Sequence, residues 1–165
     1  MKMIQNKIYT LLLFIITLGL LVFASCTSNS TDPDIEEPDP AIEETTITLD
    51  NAGSNAYVVS AIEGEGASAS LNQNNSAIQL KIGNRFTFIN DGGASSHPLD
   101  FRNSESEKLL GQSNGSGIFD DNDEVDVRRN GDAISFTLTN ELAAAFGDYI
   151  CSFHPGMSAS IMVMD

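Results

Sequence analysis

Hydrophobic residues form one long run at the start of the chain and many short, alternating runs after residue 46. The long run covers 16 residues, from Ile8 to Phe23, and follows a segment that carries Lys2 and Lys7. A positive start, an apolar stretch of this length and small residues after it are typical of a secretory signal. The run is also shorter than the roughly 20 apolar residues that a membrane-spanning helix needs. We therefore expect the rest of the chain to be exported.

The short runs after residue 46 predict β-strands. They contain β-branched and aromatic residues that alternate with polar ones, and Gly, Asn and Ser separate them. Many short strands at regular spacing favour an all-β fold, a β-sandwich. One helical turn is predicted over Asn140–Phe146, with Asn140 as its N-cap, and residues 103–122 are predicted to form a long surface excursion. The predicted strands are Ile47–Asp50, Ala56–Ile62, Ala77–Ile82, Arg85–Asn90, Glu124–Arg128, Ala133–Leu138, Asp148–Cys151 and Ser158–Met164.

Residues 27–46 separate the apolar run from the predicted strands. They include seven acidic residues, three prolines and no basic residue. Such a segment buries too little apolar surface to offset its ordering entropy, and its charge and prolines keep it extended. We interpret it as an acidic disordered tether, with a docking site for a basic partner as the alternative. The chain then divides into a signal peptide (1–26), the tether (27–46) and one domain (47–165) of a size that suits a single core.

The end of the signal resembles a bacterial lipobox, on the residues Phe23-Ala24-Ser25-Cys26. In a lipobox the cysteine becomes the lipidated N-terminus of the mature protein, although Phe23 departs from the usual leucine. The resemblance implies an exported lipoprotein that is anchored to a bacterial membrane through Cys26 and faces the periplasm or the cell exterior. The alternatives are a plain signal peptide cut near Ala24, which leaves Cys26 as a free thiol, and an uncleaved anchor.

The composition excludes several classes of protein. The chain has 23 acidic and 8 basic residues, a formal charge of -15, which argues against a nucleic-acid binder because such a protein needs a basic face for phosphates. Two cysteines cannot build a disulfide-dense scaffold, an all-cysteine zinc site or an iron–sulfur cluster. The position of each cysteine and histidine is therefore informative.

The cysteine outside the lipobox and both histidines fall at two places in the sequence. Cys151, His154 and Met157 share one seven-residue segment, and His97 lies 54 residues before Cys151. A thiolate and two imidazoles with a weak axial thioether are the ligands of a blue-copper site, whereas zinc would normally take another strong ligand in place of the thioether. The other readings are unrelated core and turn residues and a nucleophilic Cys–His pair, for which no third, orienting group stands out.

This spacing resembles that of the cupredoxins, the family that includes plastocyanin, amicyanin and halocyanin. The resemblance rests on Cys151-x2-His154-x2-Met157 and on the segment Ser135–Leu142 before it. It implies a Greek-key β-sandwich and one type 1 copper ion bound by His97, Cys151, His154 and, weakly, Met157. It also implies that the edge of His154 reaches the surface and relays the electron.

The resemblance implies an electron carrier between membrane or periplasmic redox proteins, and not an enzyme. The alternatives are a copper-binding or copper-delivery lipoprotein without an electron-transfer role and a cupredoxin-like adhesion or sensing domain. We expect a monomer whose acidity either steers basic partners such as c-type cytochromes or serves only solubility and salt tolerance. Residues 120–126 are the candidate acidic patch. Pro98 and Pro155 follow the two histidines and lack an N–H that could reach the cysteine sulfur, so we hypothesise a lowered reduction potential.

Overall fold

Alternation of buried and partly exposed side chains along the strands sets the architecture. The computed structural model, which describes residues 42–113 and 115–164, contains eleven strands and one short helix within those ranges. They form an all-β sandwich of two mixed sheets, as the sequence predicts. The strands are β1 (Glu44–Asn51), β2 (Tyr57–Glu63), β3 (Ala67–Ala69), β4 (Ile78–Lys81), β5 (Arg85–Asn90), β6 (Leu99–Arg102), β7 (Lys108–Gly111), β8 (Arg128–Asn130), β9 (Ala133–Thr137), β10 (Asp148–Cys151) and β11 (Ser158–Met164), and the helix is α1 (Asn140–Ala145).

The order of the strands brings distant parts of the sequence together. The first sheet has five strands in the order β2-β1-β5-β9-β8, in which β1 and β5 run parallel and the other neighbours are antiparallel. The second sheet has six strands in the order β3-β4-β11-β10-β6-β7, in which only β4 and β11 run parallel. The antiparallel pairing of β6 with β10 sets Leu99 opposite Cys151.

Aromatic side chains from both sheets fill the core. Phe88 and Phe136, from neighbouring strands of the first sheet, stack with ring centroids 5.8 Å apart. Phe101, from the second sheet, meets them edge-on at 5.0 and 5.2 Å. All three side chains are fully buried, so hydrophobic burial and aromatic contacts hold the sheets together.

The structure contains most of the strands that the sequence predicts. The bounds of β5, β10 and β11 are confirmed to the residue, and the helical turn forms α1. The N-cap of that helix is Thr139 and not Asn140, because the Thr139 side chain accepts a hydrogen bond from the Leu142 N–H.

The predicted strand Glu124–Arg128 is wrong. The Asn122 side chain accepts hydrogen bonds from the N–H groups of Glu124 and Val125, and Asp126 has a positive φ of 48°, so this stretch turns. Only Arg128 continues into β8. Three strands, β3, β6 and β7, were not predicted, and β7 lies inside the stretch that was expected to be a surface excursion.

The described part of the chain begins close to the predicted boundary of the domain. The first strand starts at Glu44, three residues before the predicted boundary at residue 47, because Thr45 and Ile47 are buried between the strands that flank them. The predicted signal peptide, Cys26 and tether residues 27–41 lie outside the described residues. Within 42–113 and 115–164, no helix is both long and apolar enough to cross a bilayer.

Candidate metal centre

His97 lies in the loop that connects the two sheets, between the end of β5 and the start of β6. The loop is rich in glycine and serine, and it turns through hydrogen bonds from the N–H groups of Ser96 and His97 to the Gly93 carbonyl, at 3.1 and 2.9 Å. Gly93 has a φ of 84°, which glycine adopts without strain. This turn brings His97 next to the end of β10.

The other candidate ligands lie on the connection between β10 and β11. Cys151 ends β10 and is buried, with 1% of its surface exposed. The Cys151 N–H donates to the Met157 carbonyl at 3.0 Å, and the Met157 N–H donates to the His154 carbonyl at 2.9 Å. These two bonds close the connection into a compact loop, the ligand loop (residues 151–157).

The side chains of His97, Cys151 and His154 converge on one point and can hold a metal ion. The two Nδ1 atoms are 3.1 Å apart, and the Cys151 sulfur lies 3.9 Å from Nδ1 of His97 and 3.4 Å from Nδ1 of His154. A triangle with these sides has its centre about 2.0 Å from each corner, close to the 2.0–2.3 Å at which imidazole and thiolate bind zinc. The three donor atoms are therefore spaced to bind a metal ion about as large as zinc.

The fourth residue predicted for the site is Met157. Its backbone closes the ligand loop, as described above, and its side chain is fully buried in the same hydrophobic cluster as Cys151. The structure thus bonds the Met157 backbone to Cys151 and His154 and shields the Met157 side chain from water.

Buried polar residues hold the backbone of His97. Its carbonyl oxygen accepts hydrogen bonds from the Tyr57 hydroxyl at 2.5 Å and from Nδ2 of Asn90 at 2.6 Å. Oε1 of Gln112 in turn accepts from Asn90 at 2.8 Å and from the Leu99 N–H at 3.1 Å. Since both donors to the carbonyl are fully buried, water does not compete for these bonds.

A second set of contacts joins the ligand loop to the segment that follows His97. The Ser152 N–H donates to the Pro98 carbonyl at 2.9 Å, and the Ser152 hydroxyl donates to Oδ2 of Asp100 at 2.6 Å. Asp100 is buried, and Lys108 and Arg102 balance its charge at 3.0 and 3.6 Å. A buried carboxylate is costly without such partners.

Burial also affects the protonation of groups at the site. Burial raises the pKa of Tyr57, and the neighbouring Cys151 raises it further, so this hydroxyl remains a hydrogen-bond donor. Burial, followed by the proximity of His154, lowers the pKa of His97, which favours the neutral imidazole that binds metals.

The residues that flank His154 in the ligand loop are uncharged and partly apolar. Phe153 is 62% exposed, and Pro155 and Gly156 are also exposed, while His154 itself is half-buried. The candidate acidic patch lies elsewhere: Asp126 pairs with Arg85 at the start of β5, whereas His97 follows the end of that strand. Asp120 belongs to the same predicted patch, but its side chain is buried against Arg129.

The sequence gives no signal for the residues that hydrogen-bond to the segments carrying the candidate ligands. Tyr57, Asn90, Asp100, Gln112 and Ser152 resemble ordinary strand or loop residues until the fold brings them to the site, and no motif marks them. Comparison of the chain with protein-family models, with curated proteins and with solved structures found no match.

Proposed function

We propose that this protein is a type 1 blue-copper electron carrier, similar to the cupredoxins, that exchanges single electrons with exported redox proteins. The observation that carries the proposal is the triangle formed by one thiol sulfur and two imidazole nitrogens, with sides of 3.1, 3.4 and 3.9 Å. A methionine closes the same ligand loop.

The chemistry of the donors favours copper among the metals that fit. Two imidazoles and a thiolate in a trigonal arrangement with a weak axial thioether are the ligands of blue-copper sites. A structural zinc site would normally have four strong ligands, and among the described residues the cluster contains three His or Cys ligands. When bound, copper would supply a one-electron couple between Cu(I) and Cu(II).

Each residue then has a distinct role. Cys151, His97 and His154 would bind the metal strongly, and Met157 would bind it weakly along the axis. Because Cys151 ends a strand and the ligand loop is closed by hydrogen bonds, the donors are held in place whichever oxidation state is present. His154, half-buried beside the exposed Phe153, would carry the electron to the surface.

The partner would dock at the exposed, uncharged residues of the ligand loop around His154. Phe153, Pro155 and Gly156 suit a small, brief contact of the kind that redox partners make. A c-type cytochrome is one such partner, and an N-terminal lipid on Cys26 would keep the carrier at a bacterial membrane, outside the cytoplasm. We expect the carrier to act as a monomer.

Addition of Cu(II) to the purified metal-free protein tests this function. We expect an intense visible charge-transfer band from thiolate to copper, reversible one-electron voltammetry, and loss of the band in Cys151→Ser. Cys26→Ser is the matched control, since it removes the other cysteine, and it should keep the band. A colourless protein that retains zinc in preference to copper would overturn the proposal.

A further inference from the structure

Tyr57 is a buried residue of the first sheet that bonds the backbone of His97, a candidate ligand in the loop between the sheets. It begins β2, is fully buried, and donates its hydroxyl to the His97 carbonyl at 2.5 Å. It is not a metal ligand in the cluster of His97, Cys151 and His154. Its hydroxyl bonds the backbone of one candidate ligand, His97, and neighbours the side chain of another, Cys151.

The loop that carries His97 needs such an external constraint. Residues 91–98 contain two glycines and two serines and have no strand or helix of their own. A flexible segment of this composition leaves the imidazole many positions unless other groups fix its backbone. Asn90 supplies one constraint through its amide, which donates to the same carbonyl at 2.6 Å.

The two donors to this carbonyl come from separate strands of the first sheet. Tyr57 lies on the edge strand β2, and Asn90 ends β5, with β1 between the two strands. Gln112, which is 4% exposed, fixes the Asn90 amide and also bonds the backbone of Leu99, at the start of β6. The carbonyl of His97 is thus held from two strands, while Cys151 is held in the second sheet.

We propose that Tyr57 is a positioning residue for the metal centre, which fixes the His97 backbone and so sets the distance between the His97 imidazole and the Cys151 sulfur. The role rests on the proposed metal-binding function, since it has meaning only if these side chains bind an ion together. It predicts that loss of the hydroxyl alone weakens metal binding. Residues that orient ligands from outside the first coordination shell typically change metal affinity by about 10- to 100-fold.

The chain offers a matched control for this hydroxyl. Tyr149 is also fully buried, its ring lies 6.0 Å from that of Tyr57, and its hydroxyl likewise donates to a backbone carbonyl, that of Ser76, at 2.7 Å. Tyr57→Phe and Tyr149→Phe therefore remove the same chemical group from similar surroundings. Only the first of these hydroxyls bonds a candidate ligand.

The test is to measure the affinities of the full-length wild type and both variants for Zn(II) and Cu(II) by chelator competition, together with the visible spectrum of the copper form. We expect Tyr57→Phe to lower both affinities by about 10- to 100-fold and to shift the visible band. Tyr149→Phe should change neither, although both variants should melt at lower temperature. Equal affinities in Tyr57→Phe and the wild type, or equal losses in the two variants, would overturn the proposal.

Two further outcomes are decisive. If Tyr57→Phe does not fold, Asn90→Ala removes the other donor to the same carbonyl and must also lower the affinity for Zn(II); an unchanged affinity would refute the proposal. If the wild type binds Zn(II) but gives no visible copper band, the proposed function fails, while the zinc affinities still decide the role of Tyr57. A wild type that binds neither metal overturns both.

Discussion

The hydroxyl of Ser152 donates a hydrogen bond of 2.6 Å to the buried carboxylate of Asp100, and this bond joins the residue after Cys151 to the strand that follows His97. The Ser152 N–H makes a second bond to the same segment, at the Pro98 carbonyl. The two halves of the candidate metal centre are therefore tied together directly behind the ligands.

Removal of this hydroxyl should affect both stability and metal binding. Ser152→Ala should lower the free energy of unfolding by about 1–3 kcal/mol, because a buried charged acceptor loses one donor. It should also lower the affinity for Zn(II) by about 10-fold or more. Ser158→Ala is the control: that serine bonds the Pro155 carbonyl at an exposed position, and its loss should change stability by less than about 0.5 kcal/mol. Denaturant unfolding and chelator competition measure both effects, and equal effects in the two variants would contradict the interpretation.

Met157→Leu tests the proposal that Met157 is a weak axial ligand of copper. The substitution keeps the volume nearly constant, so the metal-free protein should lose less than about 1.5 kcal/mol of stability. Loss of the thioether removes a donor that helps to stabilise the higher charge of Cu(II), so the reduction potential should rise while copper is retained. Met162→Leu, at a side chain that is 42% exposed, should leave the potential unchanged. Voltammetry on both copper-loaded variants makes the comparison, and equal potentials would remove Met157 from the ligand set.

The two prolines that follow the histidines should lower the reduction potential. Proline has no N–H, so neither residue can donate a backbone hydrogen bond to the Cys151 sulfur, and a thiolate with fewer such bonds stabilises Cu(II). Pro155→Ala and Pro98→Asn should each raise the potential, whereas Pro40→Ala should not. If the variants of Pro98 and Pro155 only lower the melting temperature, the prolines serve to stiffen the loops.

The ion pairs of Asp126 should make stability depend on pH in the acid range. Hydrogen bonding from Arg128, with a contribution from Arg85, holds the pKa of Asp126 below its ordinary value of 3.8. A lowered pKa in the folded state means that the stabilisation is complete above pH 3.8 and is lost as the pH falls through the folded value. Asp126→Asn should therefore be less stable than the wild type at neutral pH, and the difference should disappear in stronger acid. Asp123→Asn removes the same charge from the same segment and should show a smaller difference in thermal melts across this range.

Electron exchange should depend more on Phe153 than on the acidic residues 121–124. Asp126 pairs with Arg85 at the start of β5, and His97 follows the end of that strand. The strand is about 17 Å long, at about 3.3 Å per residue. This length exceeds the screening length of about 8 Å at physiological ionic strength. Phe153→Ser should slow electron transfer to a c-type cytochrome, and Asp123→Asn should not. Asp91, which directly follows β5, is the more relevant charge, so Asp91→Asn should alter the salt dependence of the rate. Stopped-flow measurement of the electron-transfer rate at several salt concentrations tests this. A large change in the rate or in its salt dependence for Asp123→Asn would show that the acidic patch steers the partner.

The sequence predicted the class of fold because apolar and polar residues alternate along strands such as Arg85–Asn90. It predicted that His97, Cys151 and His154 belong together because few residue types bind soft metals, and the structure brings these three together. It failed at Glu124–Arg128, where the Asn122 side chain turns the backbone and hydrogen bonding overrides strand propensity.

The supporting residues could not be predicted for a different reason. Tyr57 and Asn90 reach the His97 carbonyl only because two sheets pack with a particular register. Asp100 alternates with the apolar Leu99 and Phe101, so the pattern predicts an exposed side chain, whereas the fold buries it. Contacts of this kind depend on tertiary structure and carry no local signal.

The parallel pairing of β1 with β5 sets Glu44 beside Arg85, whereas His97 follows the other end of β5. The chain thus enters the sandwich at the end remote from the candidate metal centre. A support attached directly at the start of β1 would therefore lie far from His154. It would leave the surface around His154 free for partners while making direct electron transfer to the support slow.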